Sequence, residues 1–303
     1  MNGVLVVDKP AGPTSHDVVS RVRRALGQPR IGHTGTLDPL ATGVLPLVIG
    51  QACRLAQFYS AADKEYVVDV RFGKTTPTYD AEGLETGGAP PAEPPGLSPS
   101  VVEQALPSFR GTFLQAPPPY SAKKIAGVRA YRLARSQKAA DVKPVSVSVQ
   151  LLELLSCDGG LARLRIVCSS GFYVRTLAHD LGERIGCGAH VEQLRRVRAG
   201  DFAIEDAVPL ETIEAERTSA GNRLIPMAAL LPFIPQAVLT AEGAGRARHG
   251  RALTAGDLAG PEAASPAGAS PDRRVRLVDQ SGILLGIGER RADGLLHPVI
   301  VLV

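Results

Sequence analysis

The chain has 303 residues, enough for one large domain and a small one. Hydrophobic residues make up 44% and aromatics 4%, with no tryptophan, so an aliphatic core is expected. Lysine and arginine exceed aspartate and glutamate by 34 to 30, a net charge of +4 that permits a polyanionic partner without demanding one, and the absence of a long charge run excludes a disordered basic tail. The four cysteines, at 53, 157, 168 and 187, form no Cys-x-x-Cys pair and have no histidine placed to complete a ligand set. That spacing argues against structural zinc and a disulfide framework, and for reduced thiols in a cytoplasmic protein. The start, Met1 to Lys9, does not read as a signal peptide, and no apolar run approaches the ~20 residues of a membrane helix.

Along the chain, Val4 to Val7 predict a short strand. Thr14 stands three before Asp17, a capping box, and Val18, Val19, Val22, Ala25 and Leu26 follow at helical spacing up to Gly27. Residues 64–72 alternate, with Tyr66, Val68, Val70 and Phe72 on one face of a strand. Residues 77–97, rich in proline, glycine and glutamate, predict a surface loop. Ser98 and Pro99 predict an N-cap and first turn for a helix through Leu106. Strands are expected at 145–155 and 161–168, and a helix on Val174, Leu177, Ala178, Leu181 and Ile185, ended by Gly186. A break at 232–236 precedes short strands at 275–278, 283–287 and 298–302. Residues 260–271 are low in complexity and expected to be mobile. Strands and helices without regular alternation indicate an α+β fold.

Several chemistries are excluded by spacing. Gly73-Lys74-Thr75 lacks the earlier glycine of a phosphate-binding loop, since Val68 holds that place. Gly286-Ile287-Gly288 lacks the rest of a dinucleotide fingerprint, and no histidine pair has metalloprotease or zinc-deaminase spacing. What stands out is 32–46, where three glycines and two prolines surround one carboxylate, Asp38. It reads as a shaped loop presenting His33, Thr34, Thr36 and Asp38, with Pro39 restricting the backbone before it. A plain tight turn, with Asp38 bonding its own backbone, fits these residues about as well. Arg175 starts the later helix off its apolar stripe, one turn from His179, which a plain reading makes solvent-exposed. Arginine clusters at 21–24, 195–198 and 273–276 read either as solvated faces or as phosphate contacts.

Five ordered segments resemble the TruB-type tRNA pseudouridine-55 synthase family. They are Lys9-Pro10-Ala11-Gly12-Pro13-Thr14-Ser15, the loop Gly32 to Gly43, Lys64-Glu65-Tyr66, Gln115 to Lys124, and Ser170-Gly171-Phe172-Tyr173-Val174-Arg175-Thr176. The resemblance spans most of residues 3–235. One departure is Pro77, where the family often has an acid, which leaves Asp80 as the position to carry over. The resemblance implies a mixed, largely antiparallel catalytic sheet in residues 1–235, with an RNA-gripping insertion at about 77–145. It also implies a small β-rich, PUA-like domain in 236–303.

For function, the resemblance implies isomerisation of a uridine to pseudouridine at position 55 of the tRNA T-loop, with no cofactor and no metal. Asp38 would act at the sugar or base, as nucleophile or as the base of a glycal route. Arg175 would pair with it, and Tyr66 would stack on the uracil and receive the C5 proton. Tyr173 and Leu194 would wall the pocket, and His33 would fill the space left by the flipped uridine. Lys9, Asp80, Lys123, Arg195 and Arg196 are expected on the substrate side, with Lys123, Arg195 and Arg196 on phosphates. The implied partner is the tRNA T-stem-loop, met by a monomer with no guide RNA, no obligatory protein partner and no membrane. Two rivals are a guide-RNA-dependent synthase and a non-catalytic RNA-binding protein of the same fold. The stretch 77–145 argues against the first, and Asp38, Tyr66 and Arg175 together argue against the second.

Overall fold

The computed structural model describes residues 1–87, 97–120, 143–260 and 273–302, with the backbone alone of the short strands Lys124–Ile125 and Val128–Arg129. Lys123 and residues 261–271 of the low-complexity stretch lie outside the described residues.

A mixed sheet forms the body of the protein. Its strands run in the order Val208–Pro209, Gly3–Lys9, Thr42–Ile49, Ala189–Ala199, Lys64–Phe72, Leu161–Cys168, Val145–Asp158 and Gly111–Gln115. Neighbours are antiparallel except at two places, Thr42–Ile49 beside Ala189–Ala199 and Val208–Pro209 beside Gly3–Lys9. The Lys64–Phe72 alternation does what its period requires, and Tyr66, Val68, Val70 and Phe72 all enter the main apolar core. Two helices close that core. Ser15–Leu26 begins at the Thr14–Asp17 capping box and stops at Gly27, whose φ of 61° is left-handed. Val174–Ile185 stops in the same way at Gly186, and Val18, Val22, Leu177 and Leu181 bury their apolar stripes against the sheet.

Two central strands carry no clear period in the sequence. Thr42–Ile49 reads Thr-Gly-Val-Leu-Pro-Leu-Val-Ile and is buried almost throughout, so it has no polar face to alternate with. The expected loop over 32–46 therefore shortens: His33 ends the strand Ile31–His33, and Thr42 already begins the next. Ala189–Ala199 shifts register against Lys64–Phe72 between Val191 and Gln193 and between Arg196 and Arg198, which scrambles its in-out pattern. The expected surface loop after Pro77 is also partly corrected. Thr76 and Asp80 are buried, and Asp80 bridges to Val191.

The C-terminal sheet orders Gln236–Val238, Arg274–Val278, Leu284–Arg290 and Leu296–Val301, with the helix Ala241–Arg248 against it. Leu239, Ala244, Ala247, Leu253 and Leu277 give it a core of its own. Val278, Leu284, Ile287, Ile300 and Leu302 instead join Val4, Val48, Leu55, Phe202 and Leu231 of the larger body. The Leu231 amide donates to the Tyr59 hydroxyl at 2.9 Å inside that seam. The small sheet is therefore fastened to the large one by a shared apolar core.

Candidate active site

The loop between His33 and Thr42 is held by interactions from below. Lys9 has no exposed surface, and its ammonium donates to the carbonyls of Pro10, Pro39 and Ala41 at 3.0, 3.0 and 2.6 Å. Two of those carbonyls belong to the turn that follows directly on Asp38. Burial pulls the Lys9 ammonium down to about 8, against the attraction of Asp38 and Glu82. Ser15 bonds the loop from the other side, donating to the Leu37 carbonyl and accepting from the Leu37 amide. Gly43 is required where the loop becomes a strand. Its φ is 97°, and a Cβ there would meet the Arg196 carbonyl oxygen at 2.1 Å. Asp38 is thus presented from an anchored turn.

Arg175 meets it. Contrary to the plain reading of the sequence, Arg175 is buried. Its Nη1 donates to the Thr78 carbonyl at 2.8 Å and its Nη2 to the Tyr120 carbonyl at 2.9 Å. Its Nε lies 2.9 Å from Oδ2 of Asp38, and its Nη1 lies 3.3 Å from Oδ2 of Asp80. Asp80 is buried as well, and its other oxygen accepts from the Thr78 hydroxyl and the Glu82 amide. One guanidinium therefore joins a half-exposed carboxylate to a buried one. Glu82, near both acids, has its carboxyl pushed up by burial and then by Asp80 and Asp38.

Asp38 and Arg175 line a cavity of about 370 Å³ with Thr36, Lys64, Tyr66, Tyr173, Leu194 and Arg196. Tyr66 is buried; burial pushes its phenol up, while the charge of Arg196 acts the other way. Tyr173 is fixed through its backbone, whose amide donates to Gln115 at 2.8 Å and whose carbonyl accepts from it at 3.0 Å. The cavity floor holds Lys64, which the motif contained but the expected site left out. Its ammonium donates to the Ser60 carbonyl at 2.7 Å and to that of Ala62, and burial followed by the charge of Arg196 lowers it to about 8. The period-two alternation that put Tyr66 indoors put Lys64 on the same face, so a signal for it was present.

The basic residues expected on phosphates divide. Arg195 keeps a side chain 41% exposed and forms a two-pronged pair with Asp8 at 3.1 and 2.8 Å. Arg196 is 1% exposed and donates to the carbonyls of Val44 and Gly35 at 2.7 and 3.0 Å. It therefore faces inward, and the expectation of a phosphate contact does not hold for it. Lys9 is likewise enclosed. His33 is partly buried, with Nδ1 bonded to no protein atom; burial, then the charges of Arg196 and His16, lower its imidazolium.

Comparison with known proteins finds matches over most of the chain. Residues 23–174 match the family model described as TruB family pseudouridylate synthase, N-terminal domain. Residues 175–232 match that of the tRNA pseudouridylate synthase B C-terminal domain, and 235–302 that of pseudouridine synthase II TruB, C-terminal. The chain is 45% identical to a tRNA pseudouridine synthase B of Solibacter usitatus, with 100% of each covered. It is 41% identical to that of Pseudomonas aeruginosa, over 98% of this chain and 95% of the relative. Among solved structures, one of a Cbf5-Nop10-Gar1 complex matches with a TM-score of 0.71 at 26% identity, over 95% of this chain and 78% of that one. An archaeal box H/ACA Nop10-Cbf5 complex shares the fold, with a TM-score of 0.73 at 24% identity, over 100% of this chain and 86% of that one.

Proposed function

The chain belongs to the TruB family of pseudouridylate synthases, and from that premise we propose that it isomerises the position-55 uridine of the tRNA T-loop, with Asp38 as its catalytic carboxylate. The reaction breaks the N-glycosidic bond, turns the uracil and joins its C5 to the ribose. No group is added and no electron is transferred overall, so the chemistry requires only a carboxylate, a base for the C5 proton and a pocket that isolates the uridine.

The observation that carries the reading is Asp38 itself, half exposed on a pinned turn at the cavity and held 2.9 Å from a buried arginine whose other two nitrogens are already bonded to backbone carbonyls. An anchored guanidinium aims the carboxylate and keeps it from collapsing onto its own turn. Asp38 acts as the nucleophile or as the base that opens a glycal route, Arg175 orients it, and Tyr66 stacks on the base with its oxygen toward C5. Tyr173 and Leu194 wall the pocket. Asp80 acts behind Arg175, as its second carboxylate. His33, kept neutral by burial, fills the place of the flipped uridine. Extrusion costs a few kcal/mol of stacking, repaid by contacts in the pocket.

Two domains, 1–235 and 236–303, serve this reading: the first holds the chemistry and the second, PUA-like, holds a part of the tRNA away from the target loop. The enzyme acts as a monomer in the cytoplasm without guide RNA. The full-length relatives at 39–45% identity, all called tRNA pseudouridine synthase B, support the stand-alone reading over the guide-dependent one. The test is purified protein with an unmodified tRNA transcript and nothing else, with pseudouridine mapped by position. Product at position 55 is expected. Product only on addition of a guide RNA or a second protein would overturn the stand-alone reading, and no product under any condition would overturn the activity.

A further inference from the structure

A buried arginine needs a reason. Arg196 is among the largest fully enclosed side chains of the protein, and among the described residues no ion pair includes it. Its neighbours in the strand do pair, Arg195 with Asp8 and Arg198 with Glu65. Desolvating a guanidinium without a carboxylate costs several kcal/mol, only partly returned by the carbonyls of Val44 and Gly35. A fold that needed only an apolar plug at this place would be more stable with methionine or leucine.

Its position supplies the reason. Arg196 lies directly across the strand pair from Tyr66, and on its other side it pairs with Gly43. Residues opposite one another in an antiparallel pair project from the same face. Arg196 and Tyr66 accordingly line the same cavity, with Lys64 and Asp38 beside them. The charged and titratable groups acting on the phenol are Arg196 from the Ala189–Ala199 strand, Cys168 from Leu161–Cys168 and Asp38 from the loop. Of these only Arg196 is a cation, and it is the residue paired with Tyr66 across the strands. The Gly35 contact ties the same guanidinium to the loop that carries Asp38, three residues on.

We propose that Arg196 is a positioning residue for the proton-transfer half of the reaction, holding the Tyr66 oxygen toward the uracil and compensating the negative charge that oxygen carries. The inference rests on the reading of this cavity as a pseudouridine synthase site. Tyr66 takes the C5 proton as a phenolate, the electron pair of the C5–H bond forms the C5–C6 double bond, and the N1–C6 pair it displaces returns to N1, which takes a proton from solvent. The neutral phenol then gives the proton to solvent. Burial opposes the phenolate, and the charge of the guanidinium beside it acts against that penalty. The first half of the reaction, cleavage of the glycosidic bond at Asp38, does not need this charge.

The experiment compares wild type, Arg196→Lys and Arg196→Gln on tRNA transcripts carrying either ordinary or 5-deuterated uridine, in single turnover. Wild type must form pseudouridine, and if it does not, the reading of the site has failed rather than this inference. If Arg196 serves the C5 step, Arg196→Gln slows turnover on the order of 10²-fold and raises the deuterium isotope effect, because loss of the C5 proton becomes rate-limiting. Arg196→Lys, which keeps the charge but loses the fork, recovers part of the rate and shows a smaller isotope effect than Arg196→Gln. A purely structural arginine predicts a different pattern, in which melting temperature and rate fall together while the isotope effect stays at the wild-type value in both variants. That pattern, or full activity in Arg196→Gln, overturns the proposal. Circular dichroism and tRNA affinity on the same preparations show that the variants are folded and bind.

Discussion

Nε of Arg175 lies 2.9 Å from Oδ2 of Asp38, yet the N–H is not aligned as a hydrogen bond to that oxygen. Both Nη groups are anchored, Nη1 to the Thr78 carbonyl and Asp80 and Nη2 to the Tyr120 carbonyl, which holds the guanidinium in this orientation. The geometry suits a carboxylate that must be aimed but also released to react. A fully aligned two-pronged pair would hold it more tightly in the ground state than in the transition state.

Asp38→Asn keeps the size of the side chain and removes the carboxylate. Product formation is expected to fall by a factor on the order of 10⁴ or more, with tRNA affinity near wild type. Arg175→Lys keeps the charge without the fork and is expected to lose about 10²-fold in single turnover. Because the two act as a unit, the double variant should be little slower than Asp38→Asn alone. Measurable turnover by Asp38→Asn, beyond contaminating enzyme, would move the catalytic carboxylate elsewhere.

Asp80 touches Arg175 and its own loop. Asp80→Asn should therefore lower the rate of the chemical step, by roughly 10-fold or more, while tRNA affinity changes little. Steady-state and filter-binding measurements separate the two effects. A loss confined to affinity would return Asp80 to the RNA-contacting role that its place in the motif first suggested.

Tyr66→Phe keeps the ring and removes the hydroxyl. Stacking on the flipped base should survive and with it most of the affinity, while turnover falls. Near-normal turnover would reduce Tyr66 to a stacking surface and remove the object on which Arg196 acts.

Lys9 offers a test in stability alone. Lys9→Met leaves the carbonyls of Pro10, Pro39 and Ala41 without their donor and should cost at least ~2 kcal/mol. The sign of its pH dependence follows from the shift. The folded ammonium titrates near 8 and the unfolded one near 10.5. Between those values the unfolded chain holds a proton that the folded chain has lost, so stability rises with pH there, by up to about 1.4 kcal/mol per unit. The gap between wild type and Lys9→Met in denaturant unfolding should thus be smallest below pH 8 and widen toward pH 10. A gap that narrows over that range would show that Lys9 is not the buried group described.

What was legible in the sequence follows from period. The Lys64–Phe72 strand and the two capped helices announce themselves because one face is wet and one is dry. Thr42–Ile49 is dry on both faces, and Ala189–Ala199 is broken by register shifts, so neither shows a clean alternation. The motif resemblance supplied Asp38 and Arg175, and helical spacing alone would have left Arg175 in solvent. Nothing local in Arg195-Arg196 says that the first faces out and the second in. That difference comes from the neighbouring strand, where Arg196 lies opposite Tyr66, whose side chain enters the core, so Arg196 faces the same way and Arg195 the other.

The same contrast yields the last prediction. Binding to a polyanion releases counterions for each phosphate met by a cation, and log affinity falls with log salt in proportion. Arg195 has an exposed guanidinium, and its partner Asp8 is exchangeable for a phosphate at the surface. Arg195→Gln should reduce the magnitude of the salt slope for tRNA binding by up to about 1. Arg196→Gln should leave that slope unchanged, because an enclosed guanidinium bonded to Val44 and Gly35 meets no phosphate. Affinity measured by filter binding across a salt series for the two single variants makes the comparison. Equal slopes in wild type and Arg195→Gln would place that arginine off the RNA path, with its pair to Asp8 serving only the fold. A reduced slope in Arg196→Gln would mean that the strand opens on binding and turns the buried cation toward the backbone.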